Sequence, residues 1–176
     1  MKKIITAALL LSTITAGAQT RKSYAFIGPA IYMNTKSSSD VIYGGTAGFA
    51  SLTKFGSIGA AVDVLTKADN GIYFPVYLDI HAFLAKKNEG AYILAQPGYI
   101  VRSKTYISFP GGSVKESGGF YFGAGIGYLS HIVKSGVTAQ LKYILFNTRI
   151  NSNYYNDVTK QNNSTNAVAL SVAVAF

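Results

Sequence analysis

The sequence predicts an all-β fold: an eight-stranded antiparallel transmembrane β-barrel, wound as an up-and-down meander and preceded by a cleaved signal peptide. Three observations carry that expectation. Long segments of period two recur along the chain, the connections between them alternate in length, and almost every charge lies outside the segments.

Residues 1–18 begin with Lys2 and Lys3, continue through an apolar stretch from Ile4 to Leu11, and reach the small-residue site Ala16-Gly17-Ala18. This is the anatomy of a secretory leader cleaved before Gln19, leaving residues 19–176 as one domain. Thr6, Ser12, Thr13 and Thr15 interrupt the run short of the ~18 apolar residues that a spanning helix needs. The absence of cysteine excludes a lipid-modified N-terminal cysteine and any disulfide framework. The formal charge of +9 falls to +7 with the leader, because only Lys2 and Lys3 leave with it. The remaining basic residues are dispersed and form no stripe, which argues against nucleic acid as a partner.

Eight segments follow, at roughly 23–33, 41–51, 56–66, 72–84, 91–102, 119–130, 136–147 and 167–176, each of 10 to 13 residues. Bilayer-crossing strands need about 9–11 residues, whereas strands of soluble proteins average 5–6. In the third segment Ile58, Ala60, Val62 and Val64 alternate with Gly59, Ala61 and Asp63. In the fourth, Phe74, Val76, Leu78, Ile80, Ala82 and Leu84 alternate with Tyr73, Tyr77, Asp79 and His81. The sixth sets Phe120, Phe122, Ala124, Ile126 and Tyr128 against Tyr121, Gly123, Gly125 and Gly127, a glycine face suited to a narrow, curved wall with neighbouring rings laid over it. The seventh sets Val137, Ala139, Leu141, Tyr143 and Leu145 against Thr138, Gln140 and Lys142. Each pattern offers one apolar face to lipid and one small or polar face to an interior. The first, second and fifth segments alternate less regularly. Pro29, Pro75 and Pro97 each remove a ladder donor and predict bulges or local end effects.

The connections after odd-numbered segments are NTKSSSD, TKADNG, RSKTYISFPGGSVKES and the stretch from Thr148 to Asn166; those after even-numbered ones are LTKF, AKKNEG and HIVKS. Short turns at one end and two long loops at the other are the asymmetry of outer-membrane barrels. Of the 21 charged residues after the leader, only Asp63, Asp79 and Lys142 fall inside a segment, the rest sitting at an end (Arg102), a turn or a loop, and alternation turns all three inward. Together with His81, Gln96 and Gln140 they form a predicted interior polar network, in which buried charges must be paired.

Candidates for chemistry are few. Asp79 and His81 share a face and could orient an imidazole, yet no nucleophile is identifiable beside them in sequence, so they read as part of the network. Ser130 and His131 are adjacent, and alternation sends them to opposite sides. GAGIG at 123–127 has the wrong glycine spacing and no βαβ context for a dinucleotide site. Two distant histidines and no cysteine support no metal site. No catalytic residue and no cofactor are expected. The polar, Asn-rich stretch from Asn151 to Thr165, with Tyr154 and Tyr155, is expected as an exposed loop that carries surface contacts.

Leader, alternating segments and the closing VALSVAVAF together resemble the small eight-stranded outer-membrane barrels of the OmpA/OmpX type, the porin-like outer-membrane β-barrel domain family. The resemblance runs from about Arg21 to Phe176. It implies residence in the outer membrane of a Gram-negative bacterium, contact with outer-membrane lipid, and a monomeric state. It also implies that the last strand, through Val168, Leu170, Val172, Val174 and Phe176, is read by the barrel assembly machinery. The implied role is structural or surface-interacting through the external loops, for an extracellular ligand that the residues do not identify, and non-enzymatic. A narrow channel for small solutes is the alternative, and a lipid-modifying enzyme a third reading. The chain departs from such barrels in having no Trp. Tyr32, Tyr43, Phe49, Phe55, Tyr128 and Phe176 would then form the aromatic girdles.

Overall fold

The structure is a computed structural model that describes residues 23–35, 41–54, 56–66, 72–85, 89–101, 103–109, 112–132, 135–154 and 157–176. The predicted signal peptide and Phe55 lie outside the described residues. Ten strands are present: β1 (Ser23–Asn34), β2 (Val41–Leu52), β3 (Gly56–Thr66), β4 (Ile72–Phe83), β5 (Gly90–Val101), β6 (Ser103–Phe109), β7 (Gly112–Ser117), β8 (Phe120–Ile132), β9 (Ser135–Tyr154) and β10 (Asp157–Ala175). Eight of them close a barrel in the order β10-β1-β2-β3-β4-β5-β8-β9, with β9 paired back to β10 and all pairings antiparallel. At the closing seam Ala25 and Phe176 exchange both backbone hydrogen bonds at 2.9 Å.

Alternation fixes which side chains face in. Ile27, Leu78, Ile126, Leu141 and Val172 project outward, while their strand neighbours Phe26, Tyr77, Gln140 and Ser171 are buried. Among the described residues, 26 large apolar side chains are more than a third exposed. Leaving each in water forfeits roughly 1.5–3 kcal/mol, a total of tens of kcal/mol against a net stability of about 5–15 kcal/mol for a whole domain. The inner face holds the charges instead. The outer surface is therefore matched to lipid, and ring closure pairs the strand edges that lipid could not satisfy. This is a transmembrane barrel by fold class.

Glycines let the inner rings pack. A Cβ on Gly48 would lie 2.5 Å from the Phe26 ring, and one on Gly127 would lie 2.3 Å from Tyr92. Both rings lie flat against a wall that only glycine leaves open.

Three expectations are corrected. Tyr32 belongs to the interior, only 1% exposed, and not to an outer girdle; β1 buries Tyr24, Phe26, Ala30 and Tyr32 on one face and turns Ile27 and Ile31 outward. The prolines cause no bulge. Pairing lapses beside Pro29 toward β10, beside Pro75 toward β3 and beside Pro97 toward β4, yet the register is the same on both sides of each gap. A missing donor removes a rung without adding a residue. Finally, neither long connection is a loop. Residues 103–109 and 112–117 pair as the β6–β7 hairpin, with one register shift between Tyr106 and Ser108, and residues 148–154 and 157–166 extend β9 and β10. β7 docks on the extension of β9, from Gly112 opposite Tyr154 to Ser117 opposite Arg149. Beyond the barrel the chain thus builds a four-stranded sheet in the order β10-β9-β7-β6. Charged residues such as Lys115, Glu116, Arg149 and Lys160 lie in strands after all, but above the apolar belt.

Candidate functional site

Two regions concentrate polar chemistry: the lumen and the protruding sheet.

In the lumen the six residues of the expected network, Asp63, Asp79, His81, Gln96, Gln140 and Lys142, all lie inside and are at most 5% exposed. They come from β3, β4, β5 and β9, and strand register sets them at mid-barrel. Asp63 receives hydrogen bonds from the hydroxyls of Tyr32 and, at 2.8 Å, Tyr77. Lys142 Nζ stands 3.8 Å from Asp63 Oδ2 and donates to Gln96 Oε1 at 3.0 Å. The same ammonium lies 5.1 Å from the Tyr77 ring and 5.7 Å from that of Tyr32, so ring faces replace part of its lost hydration. Gln96 Nε2 donates to Asp79 Oδ1 at 2.7 Å, which links this cluster to a second one.

That second cluster holds an arrangement that the sequence does not advertise. His81 Nε2 meets Asp79 Oδ1 at 2.9 Å, and His81 Nδ1 meets Ser57 Oγ at 3.1 Å. Ser57, His81 and Asp79 thus stand in the order of a nucleophile, its base and the group that orients the base. The expectation that no serine lies beside the pair is corrected: β3 and β4 are in register, with Ser57 directly opposite His81. The order alone does not make a reactive centre. Ser57 is 2% exposed, its Oγ is shared with the Tyr24 hydroxyl at 3.2 Å, and the Tyr92 ring stacks on His81 at 4.2 Å. These neighbours occupy the space an acyl group would need within ~3 Å of the nucleophile. Within the trio each member hydrogen-bonds another, while Asp79 Oδ2 is buried without a hydrogen-bond partner among the described residues. Ser130 and His131 are consecutive residues of β8.

Apolar layers cap the network at both ends. Tyr24, Phe26, Tyr92 and Leu129 fill the lumen near the short turns; Ile42, Leu65, Ile100, Ile144 and Phe146 fill it toward the protruding sheet. Tyr121, fully buried, stacks on Tyr77 with ring centroids 5.2 Å apart. An eight-stranded lumen is about wide enough for its own side chains, and here they fill it.

The protruding sheet is the opposite case. Asn147, Arg149, Lys160, Asn162 and Ser164 are exposed, and among the described residues two strand edges are open: β6 pairs only with β7, and β10 from Asp157 to Thr165 pairs only with β9. PGG at 110–112 between two β-prone runs is the signal that would have revealed the β6–β7 hairpin.

Closure, strand number and an inverted surface define the class: a small antiparallel transmembrane barrel carrying an inserted hairpin. Among solved structures, the chain is similar to the N-terminal β-barrel domain of Pseudomonas aeruginosa OprF. The TM-score is 0.54 and the identity 15%, over 88% of this chain and 98% of that one. Neither protein-family models nor curated proteins give a match to the sequence. The likeness is one of fold.

Proposed function

We propose that the protein is an outer-membrane barrel with a closed lumen that acts as a surface-interaction scaffold through its protruding sheet. One observation carries this reading: β9 and β10, which help seal the interior with side chains, continue past the apolar belt and build with the β6–β7 hairpin a four-stranded sheet whose two outer edges are open among the described residues. Unpaired backbone donors and acceptors on such edges can take up an extended partner segment by strand addition. Localisation in the outer membrane rests on the barrel class and the leader-like N-terminus. Recognition of the last strand by the assembly machinery fits the outward row Val168, Leu170, Val172, Val174 and Phe176.

The channel alternative needs an aqueous path past Tyr77, Asp79, Gln140 and Lys142. These residues are 0–5% exposed and hydrogen-bonded across the lumen. Planar-bilayer recordings test the choice: the scaffold reading expects no steady conductance from the heat-modifiable, folded protein. Regular unitary openings would replace it with the channel. Outer-membrane fractionation tests location, and recovery as a soluble periplasmic protein would overturn it.

A further inference from the structure

Strand register brings three cations to one face of the protruding sheet. Asn151 of β9 is flanked by Lys115 of β7 on one side and Lys160 of β10 on the other. One step nearer the barrel, Arg149 is flanked by Ser117 and Asn162. Paired residues of an antiparallel ladder share a face, and this is the face that continues downward through Asn147 to the exposed Leu145, Tyr143 and Leu141. Glu116 points the other way and is buried. Between Asn147 and Asn151 the outer face holds no carboxylate among the described residues.

Height matters as much as charge. From Leu145 to Arg149 the strand rises about 13 Å, or roughly 9 Å along the membrane normal at a 45° tilt. That places the guanidinium, which can bend back toward the bilayer, at headgroup level just above the hydrocarbon boundary. At ~4.8 Å per strand, the backbones of Lys115 and Lys160 stand about 10 Å apart across Asn151.

We infer that Lys115, Arg149 and Lys160, with Asn147, Asn151 and Asn162, form a binding site for a phosphate-bearing lipid headgroup of the surrounding leaflet, whose acyl chains lie on Tyr143 and Leu145. The guanidinium offers a bidentate fork to phosphate, the two ammonium groups add point charge, and the amides supply neutral donors. The inference rests on the membrane reading above. A soluble polyanion would meet the same cations, but it gains nothing from the apolar strip directly below them, which argues for a lipid.

The test is native mass spectrometry of the full-length protein released from phosphatidylcholine nanodiscs with and without phosphatidic acid. The wild type should retain phosphatidic acid in preference to phosphatidylcholine. The triple variant K115Q/R149Q/K160Q should lose that preference by roughly a hundredfold. K54Q, on a turn at the other end of the barrel, should retain it. Heat modifiability on gels verifies that each variant is folded. Equal phosphatidic acid retention by wild type and triple variant overturns the inference while leaving the membrane reading intact. So does complete displacement of the lipid by inorganic phosphate. Failure of the wild type to enter phosphatidylcholine nanodiscs overturns both.

Discussion

Strands β9 and β10 pass through two environments in one continuous ladder, and their two halves differ in everything except hydrogen bonding. Below Leu145, Leu141 and Tyr143 face out and Gln140 and Lys142 face in, so every second residue is apolar. Above it, Asn147, Arg149, Asn151, Lys160 and Asn162 make the outward face polar, with pairing unbroken from Gly136–Ala175 up to Tyr154–Asp157. The difference teaches that side-chain pattern reports the solvent around a strand, while strand formation itself needs only a partner edge. Lipid writes alternation into one half, and water leaves the other half free of it.

The sharpest way to break that comparison is in the lumen. Lys142→Met leaves Asp63 and Asp79 buried without their ammonium and should cost about 3–5 kcal/mol, read from urea titration of the barrel in lipid vesicles. The double variant Lys142→Met/Asp63→Asn should recover much of the loss; no recovery would mean that the charges do not compensate each other. Next comes the belt. Leu141→Arg should cost about 2–4 kcal/mol, whereas Asn153→Arg, on the same strand above the membrane, should stay within ~0.5 kcal/mol. Equal effects at the two positions would place both halves of β9 in the same solvent. Gly127→Ala should cost about 1–3 kcal/mol because its Cβ meets the Tyr92 ring, and Gly127→Ala/Tyr92→Leu should be milder than the single change. The smallest effect is expected at Ser57. Ser57→Ala should cost about 1 kcal/mol, and a fluorophosphonate probe should leave Ser57 of the folded protein unmodified. Covalent labelling there would turn the buried trio into a reactive site.

How much of this was legible in the chain follows from the same contrast. The lipid-crossing portions of β3, β4, β8 and β9 could be read with their faces, because alternation against hydrocarbon is strict at Leu78, Ile126 and Leu141. β1 was less legible: Tyr24, Phe26 and Tyr32 line the lumen while equally apolar Ile27 and Ile31 line the outside, and composition cannot separate two apolar faces. The protruding sheet was read as loop, since NSNYYNDVTKQNNST has neither alternation nor a high share of β-branched residues. Its strands persist because the barrel delivers β9 and β10 already paired and in register. The network members were legible as inward polar residues. Their bonds were not, because Ser57 and His81 lie 24 positions apart and only the β3–β4 register makes them neighbours.

The joint between β1 and β10 is one of three in the wall that lapse beside a proline. It has seven matched positions, interrupted at Gly28 and Pro29, against nineteen between β9 and β10. Its two strands are also the most distant in sequence, so joining them closes the longest loop in the molecule. The cylinder should therefore fasten last and loosen first along this line, with amide exchange of β1 outpacing that of β9. Pro29, by withholding a donor at the joint that closes the longest loop, weakens the line along which the ring can come undone.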